Sequence, residues 1–566
     1  MRGAGRREGG TLLGGSGLGR WPLALVTLGL LFVGCTGKHP VSGHADAGGT
    51  TTPQVVQSTR TGASAGSVPA PIATSPGPDG MRAAWVQREN VRPGTADWRI
   101  TARASGAISG FADKVYAAVG QWVSLYVSTP ARSFHVEAYR MGYYGGTDAR
   151  LVWRSPEHGG RVQRLCPRTP TTNMVSCGRW RPSLSLSLSE DFVPGDYLFK
   201  LVGSGGQQSY IPLTVWDPAS HATYVVKNDV FTWQAWNSYG GYDFYAGGGT
   251  CPPGVYPPCS RARVVSFDRP YAAARGASDF LGLELPLVAF VEEHGLDVSY
   301  ATDLTLVQHP SFLLRHKTLL SLGHDECWDL RERRAALAAE RHGLNIAFFG
   351  ASAILRHVRL QSSRLGPERE VVDYRDSGED PLNGHGNPLD VTGNTWASPP
   401  ANWPEDNFVG ESYVGYREPN TRPVAFVVAT AAAWIFAGTH AHNGTVVRNV
   451  IAADVDGFNP NAHPANLQIL GHSPMPLTGS QVNGMRWGTV YYSDMTFYTD
   501  PASNAGLFDS GTNNWIPALG PCPSGTTACP AAFVRRVTAN LLRRLGHGPA
   551  GATGPSRANW PHVHPY

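Results

Sequence analysis

TLLSLGHDECWDLRERRAALAAERHGLNIAFFGASAILRH, residues 318–357, decides how this chain folds. The apolar run Thr318–Leu322 has the length of a buried strand. It stops at Gly323, and four proton- or metal-binding groups follow at once: His324, Asp325, Glu326 and Cys327. Asp329 is a suitable N-cap for a helix that runs to His342 and ends at Gly343. Leu344–Phe349 reads as a second buried strand. Parallel strands present their C-termini on one edge, where open α/β sheets bind ligands. The turns 323–328 and 350–353 are therefore expected side by side on that edge. A plainer reading makes Asp325 and Glu326 simple partners of the following helix N-terminus; His, Asp, Glu and Cys in succession at a strand end point instead to chemistry.

Outward from this stretch, Thr223–Lys227 begins a strand and helix alternation. Leu283–His294 reads as a helix, Leu296–Tyr300 as a strand and Pro310–His316 as a short helix, a pattern that predicts a parallel α/β sheet over 218–548. Asp229–Tyr245, DVFTWQAWNSYGGYDFY, is an aromatic loop leaving the same edge. Residues 368–423 are too polar and too long for a simple connection and predict an excursion or lid. Val424–Thr430 and Trp434–Ala437 return to strand character, and Ala531–Leu545 to an amphipathic helix. Before this part, 83–217 carries short alternating strands such as Trp122–Ser128 and Phe134–Arg140, which predict a β-sandwich. The fold class is thus an all-β sandwich followed by an α/β domain, with 549–566 as a disordered tail.

Of the 566 residues, 16% are charged and the net charge is +4. No basic stripe follows the N-terminus, so nucleic acid is excluded as the expected partner. Residues 1–35 read as an export signal: arginines at 2, 6, 7 and 20, an apolar run 21–34, then Cys35. Leu31-Phe-Val-Gly-Cys35 resembles a lipobox, which would lipidate Cys35 and hold the chain on the outer face of a bacterial membrane; secretion or an uncleaved anchor are the alternatives. Residues 36–82 hold few large apolar residues and predict a disordered tether. Cysteine spacing agrees with export. Cys166 and Cys177, Cys251 and Cys259, and Cys522 and Cys529 form three close pairs expected as disulfides, which leaves Cys327 free.

Further along, His440 and His442 have metal-ligand spacing, or are plain loop histidines. Asp454 and Asp456 alternate onto one side of a strand and offer an oxygen ligand or a base. Ser352, in Gly350-Ala-Ser-Ala353, lacks the closing glycine of a nucleophile elbow.

Met141-Gly-Tyr-Tyr-Gly-Gly146, Thr232-Trp-Gln-Ala-Trp-Asn237 with Tyr239-Gly-Gly241, Val265-Ser-Phe-Asp-Arg-Pro270, Gly323-His-Asp-Glu-Cys-Trp328, Phe348-Phe-Gly-Ala-Ser352 and Gly506-Leu-Phe-Asp-Ser-Gly-Thr512 with Trp515 are the residues by which 90–548 resembles the large (β) subunit of N,N-dimethylformamidase and its relatives. The resemblance implies a sandwich followed by a glutamine-amidotransferase-like α/β domain. It also implies hydrolysis of a small formamide at one iron held by tyrosines and a carboxylate. On that basis Cys327, Asp454 and Tyr239 are the expected ligands. Relatives usually have Tyr where Cys327 stands and often Glu where Asp454 stands, so the resemblance implies a thiol in place of a phenol and a shorter acid in place of a longer one.

Two functions of different class follow. One is an exported, metal-dependent amidohydrolase with His324, Asp325 and Glu326 as catalytic groups and Trp233, Asn237 and Tyr239 as substrate contacts. The other is a non-catalytic surface lipoprotein whose aromatic loop binds a glycan or peptide. Neither reading fixes the substrate or an oligomeric state.

Overall fold

The computed structural model describes residues 55–56, 73–101, 108–248, 260–417, 421–477, 490–522 and 528–563. The expected signal with Cys35, most of the tether and the Cys251–Cys259 pair lie outside them. Over the described residues the chain is mostly β, with mixed sheets and few helices.

Two sheets form the sandwich. Val55–Val56, Leu184–Ser187, Trp122–Ser128 and Ser109–Ala112 are neighbours in one; Tyr116–Ala117, Gln208–Val215, Gly195–Gly203, Ser133–Met141 and Ala149–Arg154 in the other. Strand alternation sends Val123, Leu125 and Val127 from the first sheet, and Val136, Phe199, Leu201 and Ile211 from the second, into one core.

The second half is ordered as β1 (Tyr224–Asn228), α1 (Val230–Ala235), α2 (Leu285–Glu293), β2 (Val298–Thr302), α3 (Asp303–Gln308), β3 (Thr318–Ser321), α4 (Leu330–Glu340), β4 (Asn345–Phe348), β5 (Gln468–Met475), β6 (Tyr491–Thr499), β7 (Gly506–Asp509) and α5 (Ala531–Leu545). The strands stand in the order β2-β1-β3-β4-β7-β6-β5. The sheet is mixed, not purely parallel: β6 runs antiparallel to both its neighbours, while β2, β1, β3, β4 and β7 are mutually parallel. The short link from β6 to β7 allows a hairpin but no crossover. α4 starts where the sequence predicts, with the Asp329 carboxylate accepting the Arg331 N–H at 2.8 Å. α5 buries Val534, Val537, Thr538, Leu541, Leu542 and Leu545, one face at helical spacing.

Three expectations change. Thr74–Gly77 and Gly80–Ala83 form a hairpin, so the last part of the expected tether is folded. Trp434–Phe436 is a 3₁₀ turn, not a strand. Residues 549–563 pack instead of hanging free: Ala550 is buried, and Asn559 donates from Nδ2 to Thr430 Oγ1 and to Ile469 O while its Oδ1 accepts the Ile469 N–H. Two of those bonds satisfy the backbone of the edge strand β5 at Ile469, which composition cannot reveal.

The excursion 368–423 is structured at both ends. Gly366–Val372 lies between Val264–Ser266 and Arg356–Ser363, and Arg356–Ser363 pairs with Cys327–Asp329. Ser412–Tyr416 then pairs with Asp454–Gly457. Disulfides join Cys166 to Cys177 and Cys522 to Cys529, and Cys327 is free and buried. No helix among the described residues is long and apolar enough to cross a membrane.

Sandwich and α/β half meet on a buried ion pair. Arg140, in the sandwich strand Ser133–Met141, reaches Glu292 of α2 at 2.5 and 2.9 Å, and neither side chain is exposed. Glu292 also accepts the Tyr300 hydroxyl, and a side chain at Gly142 would collide with it, its Cβ lying 2.2 Å from Glu292 Oε2. The glycine turn 141–146 is therefore a packing device. Arg140→Ala would leave Glu292 buried without its partner, and is expected to lower unfolding free energy by about 3–5 kcal/mol in denaturant titration.

Candidate functional site

The predicted edge exists. Gly323 has a positive φ of 48°, and a Cβ on Gly350 would lie 1.5 Å from Gly323 O, so the two turns lock back to back. Asp325 O accepts the Ile354 N–H at 3.0 Å, and Glu326 O accepts the Arg356 N–H at 2.7 Å. Thr232, on α1, takes the backbone N–H groups of Glu326 and Cys327 on its hydroxyl, each at 3.1 Å.

This backbone alternates its side chains between two environments. His324 and Glu326 face Asp454: His324 Nε2 lies 3.0 Å from Asp454 Oδ2 and 3.5 Å from Glu326 Oε2. Neither contact is aligned as a hydrogen bond, so this buried ring nitrogen has no hydrogen-bond partner. Asp325 turns the other way. It contacts Lys227 Nζ at 2.7 Å and accepts the Ser321 hydroxyl. Lys227 also meets Asp303 at 2.5 Å, Glu332 at 3.2 Å and Asp229 at 3.8 Å, under the Trp328 ring at 4.7 Å. Burial opposes the ammonium, but the four carboxylates outweigh it and hold Lys227 charged. Burial pushes Asp303 up to about 6, and Glu332 and Asp229 well above the usual carboxylate range.

Electrostatics tune the outward groups. Burial pulls His324 down, but the carboxylates of Asp454, Glu326 and Asp279 raise it to about 9, so the imidazolium dominates at neutral pH. Burial pushes Glu326 up, yet His324, Arg356 and the Tyr245 hydroxyl hold it below the usual range. Arg356 Nε donates to Glu326 Oε1 at 3.1 Å, and Trp236 Nε1 and Tyr245 OH donate to Oε2. Trp236 is 43% exposed and stacks on Tyr245 at 3.7 Å.

Asp454 stays reachable, its side chain 18% exposed. Ser352, at φ 60°, donates its hydroxyl to Asp454 Oδ2 at 3.1 Å. The N–H groups of Ser352 and Ala353 both go to Asp456, at 2.8 and 3.3 Å. Burial pushes Cys327 well above the ordinary thiol range, with Glu326 and Asp373 adding to it. A metal-binding thiolate at Cys327 is thus opposed by desolvation and by neighbouring acids. His440 and His442 sit exposed on a separate loop.

The aromatic loop corrects the sequence reading. Trp233 is buried on Glu284 (2.7 Å), and Asn237 is buried while bonding Pro270 O, Tyr239 N and Ala272 N. Tyr239 packs beside the Cys166–Cys177 disulfide. The loop residues on the site are Trp236 and Tyr245, both unassigned by sequence; the motif TWQAWN-x-YGG carries several aromatics, and only the fold selects among them.

Among the described residues, the group of three His, Cys, Asp or Glu ligand atoms lying within 4.8 Å of one another is Asp229–Asp303–Asp325. Lys227 Nζ touches all three, so an ammonium already supplies their cation. A metal at the outward site would need other donors with Asp454. The phenols nearest to it are Tyr245, which donates to Glu326, and Tyr413, and burial holds both protonated. Oxygen donors of this kind suit a hard cation.

A family model described as N,N-dimethylformamidase beta subunit-like, C-terminal, matches residues 135–528. No curated protein matches the chain.

Two measurements check the electrostatics. Lys227→Met strands several buried carboxylates and is expected to cost about 3–5 kcal/mol of stability. In the metal-free chain the folded pKa of His324 (about 9) exceeds its ordinary 6.5, so its stabilisation is full below pH 6.5 and is lost as pH rises through 9. Unfolding free energy followed from pH 6 to 10 is expected to carry that slope, and His324→Asn to remove it.

Proposed function

This chain belongs to the N,N-dimethylformamidase beta subunit-like family, and from that membership we propose a metal-assisted hydrolase that cleaves the C–N bond of a small amide outside the cytoplasm. The carrying observation is the buried ion pair of His324 Nε2 with Asp454 at 3.0 Å, with Glu326 at 3.5 Å. The pair sets a proton donor beside an accessible carboxylate. The parallel strands β2-β1-β3-β4, with the site at their C-terminal ends, support reading this half as glutamine-amidotransferase-like. Export is supported by the two disulfides.

Asp454, with Tyr245 and Tyr413, would hold an iron ion. When bound, such an ion polarises the amide carbonyl or lowers the pKa of a water. The chain's own residues do the rest. Asp454 is the accessible carboxylate and takes the proton of the attacking water; Ser352 orients it through Oδ2. His324, charged at neutral pH, gives its proton to the departing amine nitrogen. Glu326, fixed by Arg356, Trp236 and Tyr245, keeps His324 charged and does not itself exchange protons at neutral pH. Asp325, bound to Lys227, positions the turn. A serine route is disfavoured: Ser352 donates to a carboxylate, not to an imidazole, and the amides that would form an oxyanion hole are taken by Asp456.

One observation favours the alternative, a non-catalytic surface protein binding a glycan or peptide: Cys327 is a fully buried, protonated thiol where relatives carry a phenol. A single panel separates the two. Purified chain is assayed for bound metal and for amine release from small amides. His324→Asn and Asp454→Asn are expected to lose turnover by roughly 10²-fold or more, Asp454→Asn with loss of metal, and Ser352→Ala to stay within about tenfold. A wild type that holds no metal and releases no amine, while Cys327→Tyr gains both, establishes the binding reading instead.

A further inference from the structure

The sandwich carries a surface that the proposed hydrolysis does not use. No acidic residue occurs between Glu157 and Glu190, while five arginines do: Arg161, Arg164, Arg168, Arg179 and Arg181, all exposed. Fold brings them together. The Cys166–Cys177 disulfide ties the two segments. The Gln163 side chain donates to Arg181 O at 2.8 Å and accepts the Arg181 N–H at 3.1 Å. Trp180 Nε1 donates to Arg164 O at 2.7 Å. Beneath them, Trp180 packs on Phe111, which stacks on Tyr126, and Trp180 is only 6% exposed. The result is a stiff pedestal whose two segments carry exposed arginines, with Arg168 lying over the Tyr242 ring.

Between those groups stand two bare aliphatic side chains: Leu165, 96% exposed, and Val162, 67% exposed. A monomeric surface gains nothing from a leucine held almost fully in water next to a disulfide that prevents it from folding away.

We propose that this disulfide-tied pair of segments, 161–168 and 177–181, is a docking surface for an anionic lipid bilayer. Guanidinium groups attract and hydrogen-bond lipid phosphates, and Leu165 and Val162 enter the boundary between headgroups and acyl chains. Nucleic acid fits less well: strand binding uses exposed aromatic platforms, and the aromatic residue here, Trp180, is buried. The surface also adjoins the candidate site. Tyr239 packs on the pedestal, and a Cβ on Gly240 would lie 2.6 Å from Val175 Cγ1, while Tyr245 of the same loop bonds Glu326.

The test uses the chain from residue 36 onward, so that neither an acyl chain on Cys35 nor the apolar run 21–34 with its arginines contributes. Sedimentation compares neutral phosphatidylcholine vesicles with vesicles holding about 30% phosphatidylglycerol. Partition onto the anionic vesicles is expected to be at least about tenfold stronger, and to lose that preference when salt rises from about 0.1 M to 0.5 M. Arg164→Gln with Arg181→Gln is expected to cut it by on the order of tenfold, and Leu165→Ser, with every charge kept, by a few fold. These side chains are exposed, so folding is not at risk. Equal partition onto both vesicles overturns the proposal. So does an anionic preference untouched by Leu165→Ser, which would mark general polyanion binding, to nucleic acid or acidic polysaccharide.

Discussion

The buried ammonium of Lys227 organises the α/β half. It lies on β1 and draws in acids from four places: Asp229 beyond its own strand, Asp303 at the start of α3, Asp325 in the turn after β3 and Glu332 in the first turn of α4. Removing a charge from water is costly, and only tightly placed opposite charges offset it. One ammonium cannot neutralise four carboxylates, and burial answers by pushing Asp229 and Glu332 towards their protonated forms. The cluster thus fixes the relative positions of one strand, two helices and one turn at the edge where the sheet is open.

Its consequence for the site is directional. An extended backbone sends successive side chains to opposite sides. Once Asp325 is held inward by Lys227, His324 and Glu326 must face outward, towards Asp454. The acids of the turn therefore divide their labour. One belongs to the cluster that holds the turn, the other to the electrostatic field around His324. The same logic explains Cys327, which alternation returns to the interior, where its thiol is protonated.

Asp454 reaches this point through the long excursion. Ser412–Tyr416 pairs with Asp454–Gly457, and the Val455–Thr512 bridge and the Asp456 N–H to Gly511 O bond pin that strand to the loop after β7. The excursion is less a lid than the partner strand that presents Asp454 and brings Tyr413 beside it. On the opposite flank, the Arg140–Glu292 pair joins the sandwich to α2, and the aromatic loop rests on the sandwich pedestal while its far end reaches Glu326.

Local rules in the sequence determined the elements. Apolar run length set the buried strands at 318–321 and 345–348, the Asp329 cap and the glycine at 343 bounded α4, and close cysteine spacing paired 166 with 177 and 522 with 529. Strand-end logic also located the edge where His324 and Glu326 stand, since chemistry gathers where a sheet opens. Which side chains face one another was decided only by tertiary structure. Nothing local tells Asp325 from Glu326, because the choice is made by Lys227, far away in the chain. Nothing local selects Trp236 over Trp233 or Tyr245 over Tyr239, because each pair is one residue type and differs only in what packs against it. The tail 549–563 and the reversed strand β6 were invisible for a related reason: Asn559 and β6 are held by backbone hydrogen bonds, and a backbone group carries no sequence signature until its partner is in place.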